Sequence, residues 1–218
     1  MRRIALIHAT PAAVEPIRTA FAAAWPEPDL VNLLDDSLSR DRAPTPELTD
    51  GIYRRFDALG AYSVAIGADG ILFTCSAFGP AIERVASTLA IPVLEPNEAM
   101  FAEAITIGGT IGVLATFEPS IASMAAEFEA DAVMAGADVT LQSVFVPNAM
   151  AALVAGNRER HDRLVAEAAP ALAHCKAIML AQFSMAPAAD GLRRRLPAMP
   201  ILTSPSAAVA AMKSRLAS

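Results

Sequence analysis

Short apolar runs alternate with alanine-rich stretches of helical spacing along almost the whole sequence. Apolar runs of four to eight residues bounded by turn residues mark strands buried on both faces. Longer stretches with apolar positions three and four apart mark the helices that cover them. The strands predicted in this way are Arg3–His8, Leu30–Leu34, Gly70–Thr74, Thr110–Thr116, Val139–Val146, Ala177–Gln182 and Pro200–Thr203. The helices predicted between them are Pro11–Ala24, Pro46–Gly60, Pro80–Ala90, Asn97–Ile107, Pro119–Ala130, His161–Ala173 and Ser206–Leu216. Pro46, Pro80 and Pro119 stand at helix starts, where a missing N–H costs little. Strand and helix in regular alternation predict an α/β protein built on mostly parallel sheets.

Ile91–Asn97, with Pro92 and Pro96, is the expected crossing between two lobes, and a second crossing near Thr203–Ser206 returns the last helix to the first. The expected lobes are therefore residues 1–97 with 205–218, and residues 98–204. Each half repeats a strand–turn–helix plan with a polar turn at a strand's end, and ligands of open α/β sheets bind at such carboxyl ends.

Composition narrows the function. Hydrophobic residues make up 54% of the 218 positions, yet no window holds eighteen uninterrupted apolar residues, so no membrane span is expected. The opening Met1-Arg2-Arg3 and its short apolar run, ended by His8, read as a first strand and not as a signal peptide. A net charge of −6, with no basic block longer than Arg193–Arg195, argues against nucleic acid as a partner. The two cysteines and three histidines are scattered, which suggests neither a disulfide framework nor a metal site. A reducing cytoplasm is the expected compartment, and a homo-oligomer is left open.

The chemistry concentrates in Gly70–Pro80. An apolar strand ends in Thr74-Cys75-Ser76 and a helix follows almost at once. A thiol there meets the partial positive charge of a helix N-terminus, which predicts a lowered pKa. The free N–H groups of the turn, with the Thr74 and Ser76 hydroxyls, suit a carboxylate. The bland alternative is a small buried residue in a tight turn. His8, at the end of the first strand, is either a second acid/base, a substrate donor or a hydrogen-bonded structural histidine. Asp35, Asp36 and Ser37 read as a turn with capping duties, and Cys175 and His174 as structural residues at a helix end.

Four stretches in register carry a resemblance: Leu6–Thr10 (LIHAT), Asn32–Leu38 (NLLDDSL), the Gly67–Phe73 strand (GADGILF) leading into Thr74-Cys75-Ser76, and Ile111–Ser120 (IGVLATFEPS). Together they resemble the aspartate/glutamate/hydantoin racemase superfamily over essentially the whole chain. That resemblance implies two similar Rossmann-like lobes with the active site in the cleft between them, and no metal or organic cofactor. It implies Cys75 as a proton donor and acceptor at the α-carbon of a small carboxylic acid. It also implies a carboxylate-binding turn at Thr116 and Phe117, with Gln182 and Ser184 lining the second site.

The sequence departs from the racemase pattern at that second site. In Ile178–Pro187, Gln182 or Phe183 falls where a second cysteine is expected, and neither titrates near neutral pH. Racemisation or isomerisation is the first expectation. Decarboxylation by one cysteine, as in the related arylmalonate decarboxylases, whose cysteine stands in the second position rather than the first, is the second. A degenerate small-carboxylate-binding protein is the alternative of another class. A depressed Cys75 pKa would favour catalysis, and an ordinary or raised one binding.

Overall fold

The computed structural model describes residues 1–42, 47–118 and 120–217, so the expected helix-opening prolines Pro46 and Pro119 lie outside the described residues. The chain divides into two compact units, Met1–Glu98 with Ala208–Ser218, and Ala99–Ala207.

The first unit holds a four-stranded, all-parallel sheet of β1 (Arg3–His8), β2 (Asp29–Leu34), β3 (Gly70–Phe73) and β4 (Val93–Leu94), in the order β2-β1-β3-β4. β1 and β3 are central and buried on both faces, which is why they read as unbroken apolar runs, whereas the edge strand β2 alternates. The helices are α1 (Val14–Ala24), α2 (Ser37–Arg42), α3 (Asp50–Ala65), α4 (Gly79–Thr88) and the greater part of α10 (Ser204–Ala217). One core gathers Ala5, Ile7, Phe56, Ile71, Phe73, Phe78, Ile82 and Val85. Within it the Phe56 ring lies 5.2 Å from Phe73 and 5.0 Å from Phe78.

The second unit repeats the plan with β5 (Gly109–Ala115), β6 (Val139–Phe145), β7 (Ala177–Leu180) and β8 (Ile201–Thr203), all parallel and ordered β6-β5-β7-β8. Its helices are α5 (Glu98–Ile107), α6 (Ser120–Met134), α7 (Ala149–Val154), α8 (Arg158–Ala168) and α9 (Ala189–Arg195). A Cβ on Gly112 in β5 would stand 2.8 Å from Leu172 Cδ1, so glycine there lets the segment after α8 lie directly on the sheet.

The two α/β lobes match the expected fold class, with three short helices and one strand beyond those anticipated. β4 is only two residues long, too short for a periodicity and set between Pro92 and Pro96, so it read as connecting chain. α2 and α9 each span a turn or two, too few residues for a helical stripe to show. α7 starts after Asn148, whose φ of 63° breaks the chain direction without a glycine to signal it. No helix among the described residues is long and apolar enough to cross a membrane.

Candidate active site

In the first lobe the polar residues gather where β1, β2 and β3 end. Cys75 follows β3 in extended conformation (φ −133°, ψ 116°) and precedes the 3-10 turn Ser76–Phe78, with α4 beginning only at Gly79. Cys75 is half-buried and packs against the core that includes Phe56, Phe73 and Phe78. That apolar setting pushes the thiol above its ordinary pKa. The Ala77 N–H faces the sulfur and works in the opposite direction, short of a full capping hydrogen bond. This corrects the expectation of a lowered pKa: the intervening 3-10 turn sets α4 too far away for its partial charge to prevail over desolvation.

His8 is completely buried at the end of β1. Its Nδ1 lies 2.9 Å from Thr74 Oγ1 and its Nε2 3.0 Å from Asn32 Oδ1. Burial lowers its pKa, with the Asn32 hydrogen bond opposing the shift. Thr74 is 4% exposed, and its N–H donates to the Ile7 carbonyl at 3.0 Å. Ser76, half-buried, opens the turn.

The segment after β2 closes over the same strand ends. Ser37 donates through N–H and hydroxyl to Asp35 Oδ1 at 3.2 and 2.7 Å, and Arg55 of α3 donates to the other Asp35 oxygen and, at 2.6 Å, to Asp41. Burial alone would raise the Asp35 carboxyl, but the hydrogen bonds from Arg55 and Ser37 outweigh it and hold the carboxyl below its usual range. From α2, Ser39 donates to the Ala9 carbonyl at 2.8 Å and Arg42 to the Ala77 carbonyl at 3.3 Å. Arg42 thus brings a cation to the Cys75 turn. Sequence reading missed it and Asn32. The cue for Arg42 is the cationic end of α2, and Asn32, a polar residue inside a strand, offered one as well.

In the second lobe the register identifies each counterpart. Asp69 and Thr74 donate to Arg3 and Ile7 across β3 and β1, as Lys176 and Ala181 donate to Thr110 and Leu114 across β7 and β5. Thr74 therefore corresponds to Ala181, Cys75 to Gln182, and His8 to Ala115. At the Cys75-equivalent position the Gln182 carboxamide oxygen accepts from the Thr116 N–H at 3.0 Å and from the Thr116 hydroxyl at 3.1 Å. Its amide nitrogen donates to Ser120 Oγ at 3.1 Å, and Ser120 donates on to the Phe117 carbonyl at 2.8 Å. An amide is neither acid nor base near neutrality, and this one is held on three sides.

Among the remaining expected residues, Phe117 is 50% exposed and Ser184 is buried, its carbonyl accepting from Arg158 at 3.2 Å. Cys175 lies just before β7, at the amino end of the strand whose carboxyl end leads to Gln182, so it does not fill the place of a second thiol. Its neighbour His174 bonds Gln142 at 2.7 Å. Among the described residues no group of three or more His, Cys, Asp or Glu could hold a metal ion.

A model of the Asp/Glu/hydantoin racemase family matches residues 7–212, and the chain belongs to that family. Membership makes it an enzyme of the isomerase (racemase) class, with the reaction unspecified. No curated protein matches in sequence. Among solved structures, allantoin racemase from Klebsiella pneumoniae superposes with a TM-score of 0.71 at 21% identity, over 100% of this chain and 88% of that one. An aspartate racemase homologue from Pyrococcus horikoshii superposes with a TM-score of 0.72 at 14% identity over the full length of both. A variant of arylmalonate decarboxylase reaches 0.68 at 15% identity, over 99% of this chain and 93% of that one. At these identities the structures show a shared fold.

Proposed function

We propose that this protein is a cofactor-independent enzyme in which the Cys75 thiol moves a proton at the α-carbon of a small carboxylic acid. The observation carrying this reading is the pairing of Cys75 with Gln182: the fold repeats, but only one repeat carries a titratable group at the reacting position. Delocalisation of charge from the α-carbon into the adjoining carboxylate gives an enediolate, which hydrogen-bond donors stabilise. The Ser76 hydroxyl and the N–H groups of its turn are the first-lobe donors, and Arg42 supplies positive charge beside them. At the equivalent strand ends of the second lobe, Thr116, Phe117, Gln182 and Ser184 are the proposed substrate-binding residues.

Two reactions fit one thiol. In racemisation or isomerisation, Cys75 as thiolate removes the α-proton, and the enediolate is reprotonated on its other face by a group other than a thiol. In decarboxylation the C–CO₂ bond breaks, carbon dioxide leaves, its electron pair passes into the remaining carboxyl, and the Cys75 S–H bond delivers the proton. Water then restores the thiol. Two observations suit this alternative: burial raises the Cys75 pKa, so the thiol can serve as a proton donor, and Gln182, at the equivalent position, is not titratable. A raised pKa therefore matches a proton donor as well as it matches a mere binding site.

The test is a panel of aspartate, glutamate, hydantoins, and aryl- and alkylmalonates in D₂O, followed by NMR and chiral analysis of products. Label in both enantiomers identifies racemisation, and label in one with carbon dioxide released identifies decarboxylation. Thermal stabilisation by one acid with no exchange in any overturns the reading in favour of a carboxylate-binding protein.

A further inference from the structure

We infer that His8 is a positioning residue for Cys75, acting through the Thr74 hydroxyl. Its proton arrangement follows from its partners. Asn32 offers Nε2 a carboxamide oxygen, which only accepts, so Nε2 carries the ring proton. In the neutral ring Nδ1 then holds a lone pair, and the Thr74 hydroxyl donates to it. The hydroxyl's other acceptor, the Ile7 carbonyl, lies farther away at 3.3 Å than Nδ1 at 2.9 Å, and the shorter contact takes the proton. One imidazole thereby ties the residue before Cys75 to β1 and β2, from the sheet face opposite to the sulfur. With Thr74 pinned, the extended backbone at Cys75 directs the thiol toward the Ala77 N–H. Thr74 is then a bracket rather than a carboxylate donor.

The second lobe shows that the fold does not require this bracket. At the counterparts of His8 and Thr74 it has Ala115 and Ala181, 1% and 2% exposed, and the same β–β junction closes with two methyl groups. A buried polar pair carries a desolvation cost that the alanine pair avoids, and at these two register positions it stands in the lobe that carries the thiol.

The inference rests on Cys75 as the reacting thiol, but its test needs no substrate. In a Cys175→Ala background, the pH dependence of Cys75 alkylation by iodoacetamide is measured for His8→Asn, His8→Gln and Thr74→Val. Asparagine can place a polar atom near the Nδ1 position and so keep the Thr74 contact. Glutamine places one near Nε2 and loses it. The expected result is an alkylation rate at pH 8 about tenfold lower in His8→Gln and Thr74→Val, the scale of a lost hydrogen bond near a charged sulfur, with His8→Asn much closer to wild type. Equal effects of Asn and Gln, no effect of any variant, or faster alkylation in Gln and Val would overturn it. A ¹⁵N spectrum of the wild-type histidines stands independently of variant folding: the Nε2–H tautomer of His8 supports the bracket, and the Nδ1–H tautomer refutes it. If the bracket fails while Cys75→Ala still abolishes α-carbon exchange, only this inference falls.

Discussion

Replacing Gln182 by leucine removes the acceptor that Thr116 uses twice while keeping a side chain of similar length. Thr116 is 2% exposed, so its N–H, now 3.0 Å from the carboxamide oxygen, is left buried without a partner. An orphaned buried donor costs roughly 1–3 kcal/mol, and the net loss of the hydroxyl hydrogen bond adds about 0.5–1.5 kcal/mol. Ser120 loses only an accepted bond and keeps its own donation to the Phe117 carbonyl, which adds little. The expected cost is about 2–4 kcal/mol, or roughly a 4–16 °C fall in Tm for a chain of this size. Thr116→Val removes the hydroxyl alone and should cost about 1 kcal/mol. Because each single variant removes the same hydroxyl hydrogen bond, the double variant should cost about 1 kcal/mol less than the sum. Urea titrations of the four proteins give the cycle. Strict additivity, or a Gln182→Leu cost below about 0.5 kcal/mol, would refute the reading of Gln182 as the locked counterpart of Cys75.

Three further outcomes follow from the same geometry. Because burial raises the folded Cys75 pKa above the unfolded value of about 8.5, the folded chain holds the extra proton, and stability present below that pH is lost as pH rises toward the folded value. Urea midpoints between about pH 7.5 and 10 should fall less steeply in Cys75→Ser. The Asp35 carboxyl is held below its ordinary value by Arg55 and Ser37 against the effect of burial, so its contribution is present above about pH 4 and is lost as pH falls through the folded pKa. Asp35→Asn should therefore show a shallower acid loss in the same titration. Gly112→Ala should destabilise by about 1–3 kcal/mol through overpacking, since Leu172 offers both Cδ1 at 2.8 Å and the stiffer Cβ at 3.1 Å; a neutral result in thermal melts would show that the segment can shift away from β5.

The fold was largely legible because its central strands are buried on both faces: Ile4–Ile7 and Ala177–Leu180 are unbroken apolar runs, and alanine-rich helices must cover them. The two-residue β4 and the short α2, α7 and α9 carry too few residues for any period to show. The candidate site was legible as residue types at strand ends and not as roles. Thr74 and Thr116 read equally as free donors, but each hydroxyl is met by a side chain from a neighbouring strand or turn, His8 or Gln182, that only the register reveals. The Cys75 pKa depended on three residues of 3-10 turn and on aromatic rings contributed from elsewhere in the lobe, neither visible in Thr-Cys-Ser. Arg42 reaches the Ala77 carbonyl from thirty-five positions away.

The most direct test of the central claim compares the two thiols. Solvent deuterium incorporation at the α-carbon of the panel acid that reacts is measured for wild type, Cys75→Ala and Cys175→Ala. The account predicts that Cys175→Ala retains incorporation and that Cys75→Ala loses it by a factor of 10² or more, the scale of a removed general acid or base. Incorporation that survives in Cys75→Ala, with the variant folded, would contradict it.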